Sequence, residues 1–218
     1  MPVIINKSGS IPFFSVIMCS FNRAGTLPRA VNSLINQSIA DWECVIVDDG
    51  STDKSFEYIK NIIRSDSRFR YLYHSGRGRP ALAKNAGVLA ASGALLTFLD
   101  SDDEYLPAHL ELRRKTMLDN PGVELLHGGF KIIGDEFVPD MNDPGRKISI
   151  YDCIVGGTFV TRKETAIAAG GFDNVDYGED RLFYEKYRKS GFITARIDNP
   201  TYLYYRNSED SVCFNYKG

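Results

Sequence analysis

Four residues near the middle of the chain, Asp100-Ser101-Asp102-Asp103, place three carboxylates within one short turn. Carboxylates this close repel one another and resist joint ionisation. A hard divalent cation with oxygen ligands relieves that repulsion. Magnesium or manganese bound in this way shares its coordination with substrate phosphates. The plainer alternative is a solvated acidic turn leading into a helix near Pro107. Asp48-Asp49 precedes Gly50-Ser51. A carboxylate there can accept hydrogen bonds from a nucleoside base or ribose, or the run is only a turn with a cap at Ser51 or Thr52. Glu179-Asp180 follows Gly178. That pair can supply a general base to a hydroxyl, or it can simply compensate a helix dipole. Arg77, Arg79 and Lys84 lie upstream of the central cluster, where cations can meet a diphosphate or merely line a solvated loop. Asn85 has no determined role, and His74, His109 and His127 lack ligand spacing. Tyr202, Tyr204 and Tyr205 read as strand packing residues, with sugar stacking as the alternative.

For these groups to act together, distant stretches must meet. Residues 94–99 are mostly apolar, follow the breaker pair Ser92-Gly93 and run into the acidic cluster, which makes them a buried central strand. Residues 13–20 and 42–47 read as buried strands, and 70–74 as a short third one. Between them the pattern predicts a helix over 27–37, with Leu27, Ala30, Val31, Leu34 and Ile35 on one face. A second helix carries Phe56, Ile59 and Ile63 at core spacing, and a helix of small residues covers 81–91. Such alternation predicts a mostly parallel sheet flanked by helices on both faces. The strand-to-helix turns at Asn22, Asp49 and Asp102 then converge on one sheet edge. The second half is less regular: a helix over 107–119, strands at 123–126 and 130–133, and a long loop at 134–150, readable as a lid. A strand at 155–161, helices at 163–169 and 181–190, and strands at 193–197 and 201–205 complete it. Residues 1–12 and the end beyond 206 read as polar tails.

The whole chain fits this picture. Its 218 residues, 43% hydrophobic and 25% charged, suit one soluble globular domain. A net charge of −2 without a basic block argues against a nucleic-acid partner. Cys19, Cys44, Cys153 and Cys213 show no paired spacing, which points to reduced thiols in a cytoplasmic protein. No signal peptide and no transmembrane segment are legible, and peripheral association with the inner face of a membrane is compatible with that.

Taken together, Phe14-Ser-Val-Ile-Met-Cys-Ser-Phe-Asn-Arg23, Val47-Asp-Asp-Gly-Ser-Thr-Asp53, Ala83-Lys-Asn-Ala-Gly87, Phe98-Leu-Asp-Ser-Asp-Asp103, Gly170-Gly-Phe-Asp173 and Gly178-Glu-Asp180 occur in that order. The series resembles the family 2 glycosyltransferases of the GT-A fold, over residues 13–206. The resemblance implies an α/β fold with a Rossmann-like, mostly parallel central sheet. It implies a tail over 1–12 and a single domain over 13–218, with a nucleotide-binding half (13–104) and an acceptor-binding half (105–218). It also implies an inverting transfer of sugar from a nucleotide-diphospho-sugar, UDP-linked above all, to a glycan or lipid-linked acceptor, with Mn2+ or Mg2+ as cofactor. By resemblance, Cys19, Phe21 and Asn22 lie along the nucleotide, Asp49 contacts uracil with Asp48 nearby, Asp100 stands near the ribose, and Ser101 belongs to the same donor-binding D-x-D motif. Asp102 or Asp103 binds the metal, and Arg79 or Lys84 meets the diphosphate or donor sugar. Asp180 is the base, with Glu179 beside it. Lys84 departs from the arginine usual in the family at this position, keeping the charge without the bidentate fork. Competing readings are a non-catalytic nucleotide-sugar-binding module and a nucleotidyltransferase of similar architecture. A nucleotidyltransferase would carry a Gly-rich, basic signature after the first strand, where this chain has Ser20-Phe21-Asn22-Arg23.

Overall fold

A computed structural model describes residues 11–76 and 79–206. Arg77, Cys213 and most of the two expected tails lie outside the described residues.

The first half winds as the hydrophobic pattern requires. Strands β1 (Phe14–Ser20), β2 (Trp42–Asp48), β3 (Phe69–Tyr73) and β4 (Leu95–Phe98) alternate with helices α1 (Leu27–Ile35), α2 (Ser55–Ser65) and α3 (Pro80–Ala90). β1 pairs in parallel with β2 on one side and β4 on the other, and β2 pairs in parallel with β3. Successive residues of these strands point to opposite faces, so each strand feeds two cores. Phe14, Val16, Met18, Cys44 and Ile46 pack with Leu27, Val31 and Leu34 of α1. Ile17, Val45, Val47, Leu96 and Phe98 pack with Ala81, Ala83 and Val88 of α3. Each large side chain buried this way stabilises the fold by about 2 kcal/mol. Proline in the first turn of α1 and of α3 presets the helical φ and gives up an N–H that has no partner there.

The second half adds β5 (Glu104–Tyr105), α4 (His109–Asp119), β6 (Leu125–Gly134), β7 (Phe137–Pro139), β8 (Lys147–Ser149), β9 (Val160–Arg162), α5 (Lys163–Ala168), α6 (Glu179–Lys189) and β10 (Thr194–Arg206). The main sheet has eight strands in the order β3-β2-β1-β4-β9-β6-β10-β5. β9 runs antiparallel between β4 and β6, and β5 runs antiparallel on the edge beside β10. The architecture is the expected α/β one, a mostly parallel sheet with helices on both faces.

Several second-half expectations are corrected. Residues 134–150 are not structureless: β7 and β8 form a separate antiparallel hairpin, Phe137 opposite Ser149. Only Val160–Arg162 of the strand expected over 155–161 is extended, and 3-10 turns occupy Ile150–Asp152 and Gly156–Thr158. The strands expected at 123–126 and 130–133 are one strand, as are those at 193–197 and 201–205. The interruptions that divided them face each other. Gly128 and Gly129 have φ of 89° and 70°, and the β6–β10 register shifts between Ile197 and Tyr202. A side chain on either glycine would strike the β10 backbone at Ile197 or Asn199, so the close approach needs glycine. Phe56 is not core; it is 46% exposed and leans on Tyr71 with ring centroids 5.2 Å apart.

Candidate active site

Because β1, β2 and β4 are parallel, their carboxyl ends share one edge. β1 lies between the other two, so the chain leaves it in opposite directions at a crevice of the kind that receives ligands in open α/β sheets. A cleft of about 790 Å3 opens there, lined by Cys19, Phe21, Asn22, Asp49, Lys84, Asp100, Ser101, Asp102, Glu179 and Asp180 among others.

The loop after β1 is built on Asn22, the one non-glycine with positive φ (54°) among the described residues. Asparagine tolerates that conformation better than most residues. Its Oδ1 accepts from the backbone N–H of Thr52 (2.8 Å) and Asp53 (3.3 Å), and its own N–H donates to Ser51 Oγ (2.9 Å). The two loops at the crevice are thus one unit. Asp48 and Asp49 part ways. Asp48 is buried; it accepts from the Ser51 N–H (2.9 Å) and the Tyr71 hydroxyl (3.0 Å) and does not line the cleft. Asp49 faces the cleft, its Oδ1 2.5 Å from His74 Nδ1 and its Oδ2 accepting from the Arg79 N–H at 2.7 Å. Arg79 itself is exposed and contributes its backbone rather than its side chain to this contact. Burial pushes the Cys19 thiol well above the usual range, so it lines the cleft as a neutral group.

The acidic turn after β4 divides its three carboxylates. Asp103 is fully buried; it accepts from the Tyr202 hydroxyl (2.5 Å) and the Tyr205 N–H (2.8 Å). Burial, then Asp102 and Asp100, push its carboxyl well above the usual range. It ties the turn to β10 and does not reach the cleft. Asp102 faces the cleft, with Arg23 Nε 3.7 Å from its Oδ2. Arg29 donates to the Asp102 carbonyl while its guanidinium lies 3.6 Å above the Tyr205 ring. Asp100 is pushed up to about 6, chiefly by burial; Lys84 opposes this, and Asp102, Asp180 and Glu179 add to it.

The opposite wall comes from α6. Gly178 enters it with φ of 80°, and a side chain there would strike Met141. Glu179 and Asp180 are the first residues of the helix. Lys84 of α3 donates to Asp180 Oδ1 at 2.7 Å and to Glu179 Oε1 at 3.0 Å, and the Gly156 N–H donates to Asp180 Oδ2 at 2.9 Å. Burial pushes the Asp180 carboxyl up; Lys84 opposes this and Glu179 adds to it. For Glu179, burial is outweighed by Lys84 and the carboxyl is held down. For Lys84, burial is outweighed by Asp180, Glu179 and Asp100, and the ammonium keeps its proton.

The structure therefore brings Cys19, Phe21, Asn22, Asp49, Lys84, Asp100, Ser101, Asp102, Glu179 and Asp180 to one cleft, and leaves Asp48, Asp103 and the Arg79 side chain outside its lining. Sequence reasoning missed Arg23 and Gly156; the 134–150 segment, read as a loop able to cover the site, does line the cleft, as the β7–β8 hairpin with Val138, Pro139 and Ile148. The only signal for Arg23 was its place beside Asn22. Gly156 carried none. Asn85 acquires a role: its side-chain amide accepts from the Phe172 N–H (2.8 Å) and donates to the Phe172 carbonyl (2.9 Å), locking the 170–173 loop. The donor set fits a magnesium or manganese ion. Among the described residues no three His, Cys, Asp or Glu side chains form a protein-only metal cage. Two cleft carboxylates, one with a raised proton affinity, suit an ion that takes its other ligands from phosphate and water.

These features define an α/β fold with an acidic two-sided cleft at the carboxyl ends of its parallel strands, and the comparisons place that fold in a family. The chain belongs to glycosyl transferase family 2, whose family model matches residues 15–207. The Escherichia coli UDP-Glc:alpha-D-GlcNAc-diphosphoundecaprenol beta-1,3-glucosyltransferase WfgD is 29% identical over 205 residues, covering 92% of this chain and 79% of that protein. S. aureus TarS 1-349 in complex with UDP-GlcNAc superposes with a TM-score of 0.76 at 20% identity, over 93% of this chain and 61% of that one. The mannosyltransferase PcManGT from Pyrobaculum calidifontis, in complex with GDP-Man and Mn2+, gives 0.72 at 16% identity, over 89% and 57%. These structural likenesses establish the GT-A fold. The chain spans 48% of a Haemophilus influenzae relative, and so only about half of some proteins it matches.

Proposed function

We propose that this chain transfers a sugar from a UDP-sugar to a hydroxyl of a glycan or lipid-linked acceptor, with inversion at the anomeric carbon. The observation that carries the reading is one cleft holding two acidic groups of different character. Asp100 and Asp102 stand at the end of β4, and Glu179 and Asp180 at the start of α6. The WfgD and TarS names, with their UDP-linked donors, support the choice of nucleotide.

Asp102, with Asp100, would hold Mn2+ or Mg2+, whose charge offsets that of the departing diphosphate. Asp49, Cys19, Phe21 and Asn22 line the part of the cleft where the nucleoside would lie, and Ser101 lines it between Asp100 and Asp102. Asp180 takes the proton of the acceptor hydroxyl. The freed oxygen forms a bond to the anomeric carbon while the bond to the diphosphate oxygen breaks and its electron pair leaves with UDP. Burial raises the proton affinity of Asp180, which favours that transfer, and Glu179 stays ionised beside it. Among the described residues no helix is long and apolar enough to cross a membrane. With a lipid-linked acceptor the chain would work against the inner membrane face.

The test is transfer from UDP-glucose, UDP-GlcNAc and UDP-galactose to diphospholipid-linked saccharides, with the product anomer read by NMR. A product of inverted configuration that disappears in D180N supports the reading. Retention of configuration, or full activity in D180N, overturns it.

A further inference from the structure

Lys84 belongs to α3, in the nucleotide half, yet both hydrogen bonds of its ammonium go to the first turn of α6, and its side chain is only 5% exposed. We propose that Lys84 is the positioning residue of the acceptor base: it fixes Asp180 in one orientation at the cleft wall with Glu179 beside it, and acts through those carboxylates rather than on the donor diphosphate. The inference rests on Asp180 being the base, as argued above.

Asp180 is clamped from two sides. Lys84 takes one carboxylate oxygen and the Gly156 N–H the other, and any side chain on Gly156 would collide with the carboxylate. Each oxygen retains a further acceptor site for an incoming hydroxyl. The ammonium has a seat of its own. It lies 5.2 Å from the centre of the Phe172 ring, and Phe172 is held by Asn85, the residue after Lys84. Helix α3, the 170–173 loop and the start of α6 are therefore one rigid unit.

The charges support the same role. Glu179 and Asp180 from α6 and Asp100 from the end of β4 all act on this buried ammonium. Without it, two adjacent carboxylates would face each other in a poorly solvated wall, and Asp180 would keep its proton to higher pH. A lysine, with rotatable donors on a compact charge, can serve two neighbouring carboxylates. Two of the ammonium's three donors are committed to these carboxylates.

The test compares K84M, K84Q and K84R with the wild-type chain. Calorimetry with UDP and MnCl2 should give K84M an affinity within about twofold of wild type, because the diphosphate contact is not lost. Its kcat should fall about 100-fold, the scale of a general-base contribution. The acid limb of its pH profile should move up by about one pH unit, and K84R should return the limb toward wild type. If circular dichroism shows K84M unfolded, K84Q, neutral but still a donor, carries the same expectation. A tenfold or greater loss of UDP affinity with the limb unmoved would assign Lys84 to the diphosphate and overturn the proposal. Carboxyl-13C NMR reads the effect without substrate, with the Asp180 signal identified by its loss in D180N. An upward midpoint in K84Q supports the proposal and an unchanged one overturns it. An upward Asp180 midpoint in K84Q together with no transfer by the wild-type chain counts against the proposed function alone.

Discussion

At the residue scale, the cleft separates carboxylates that look alike in sequence by what each one touches. Asp103 is spent on Tyr202 and Tyr205, while its neighbour Asp102 faces the cleft. Y202F removes the hydroxyl donor from a fully buried carboxyl and should lower stability by about 2 kcal/mol, read as a shifted urea midpoint. An unshifted midpoint would mean that Asp103 is not a strut. D180N should reduce transfer by about 10²- to 10⁴-fold while leaving UDP affinity nearly unchanged, since it removes only the proton acceptor. Paired kinetics and calorimetry check this, and a parallel loss of both would place Asp180 on the donor. Much of this was legible in sequence, because an apolar run ending in acids marks the carboxyl end of a strand. Which of Asp102 and Asp103 turns inward was not, since that depends on Tyr202 and Tyr205, about a hundred positions away. The partnership of Lys84 with Glu179 and Asp180 was hidden for the same reason.

At the element scale, the site depends on loops that are held rather than merely placed. Asn85 on α3 clasps Phe172 with two hydrogen bonds, and Lys186 on α6 donates to the Gly171 carbonyl (3.0 Å) and to Asp173 (2.6 Å). N85A should cost about 2–3 kcal/mol in thermal or urea unfolding, the loss of both bonds inside a packed region. Wild-type stability would contradict the clasp. The first-half elements fell within one or two residues of their expected bounds, because strands buried on both faces and amphipathic helices leave strong periodic signals. In the second half the helices did so too, but the strands did not. Gly128-Gly129 and Asp198-Asn199-Pro200 look like breaks, yet they are matched irregularities of two long paired strands, β6 and β10. The hairpin at Phe137–Pro139 and Lys147–Ser149 is too short to show alternation.

At the scale of the whole molecule, two histidines, His109 fully buried and His127 half-buried, couple the fold to pH. Burial and the nearby Arg196 lower His127 to about 4, and burial holds His109 well below its ordinary range. Both remain neutral in the folded chain, whereas the unfolded chain takes up protons below about pH 6.5. Their contribution is present above that pH and is lost as pH falls through the depressed folded values. Between pH 7.5 and 5, the wild-type chain should lose about 2 kcal/mol more stability than H127Q, measured by urea unfolding at each pH. Equal losses would show that His127 titrates normally. Two cores on opposite sheet faces hold together a cleft lined by Asp49, Asp100 and Asp102 from the first half and by Glu179 and Asp180 from the second. The account stands on that cleft receiving a nucleoside diphosphate with a divalent ion. Calorimetric titration of UDP into the protein, with MnCl2 and then with excess EDTA, tests this most directly. Binding in the micromolar range that requires the metal and disappears in D102A is the predicted result. Absence of binding by UDP, GDP or dTDP with either manganese or magnesium would contradict it.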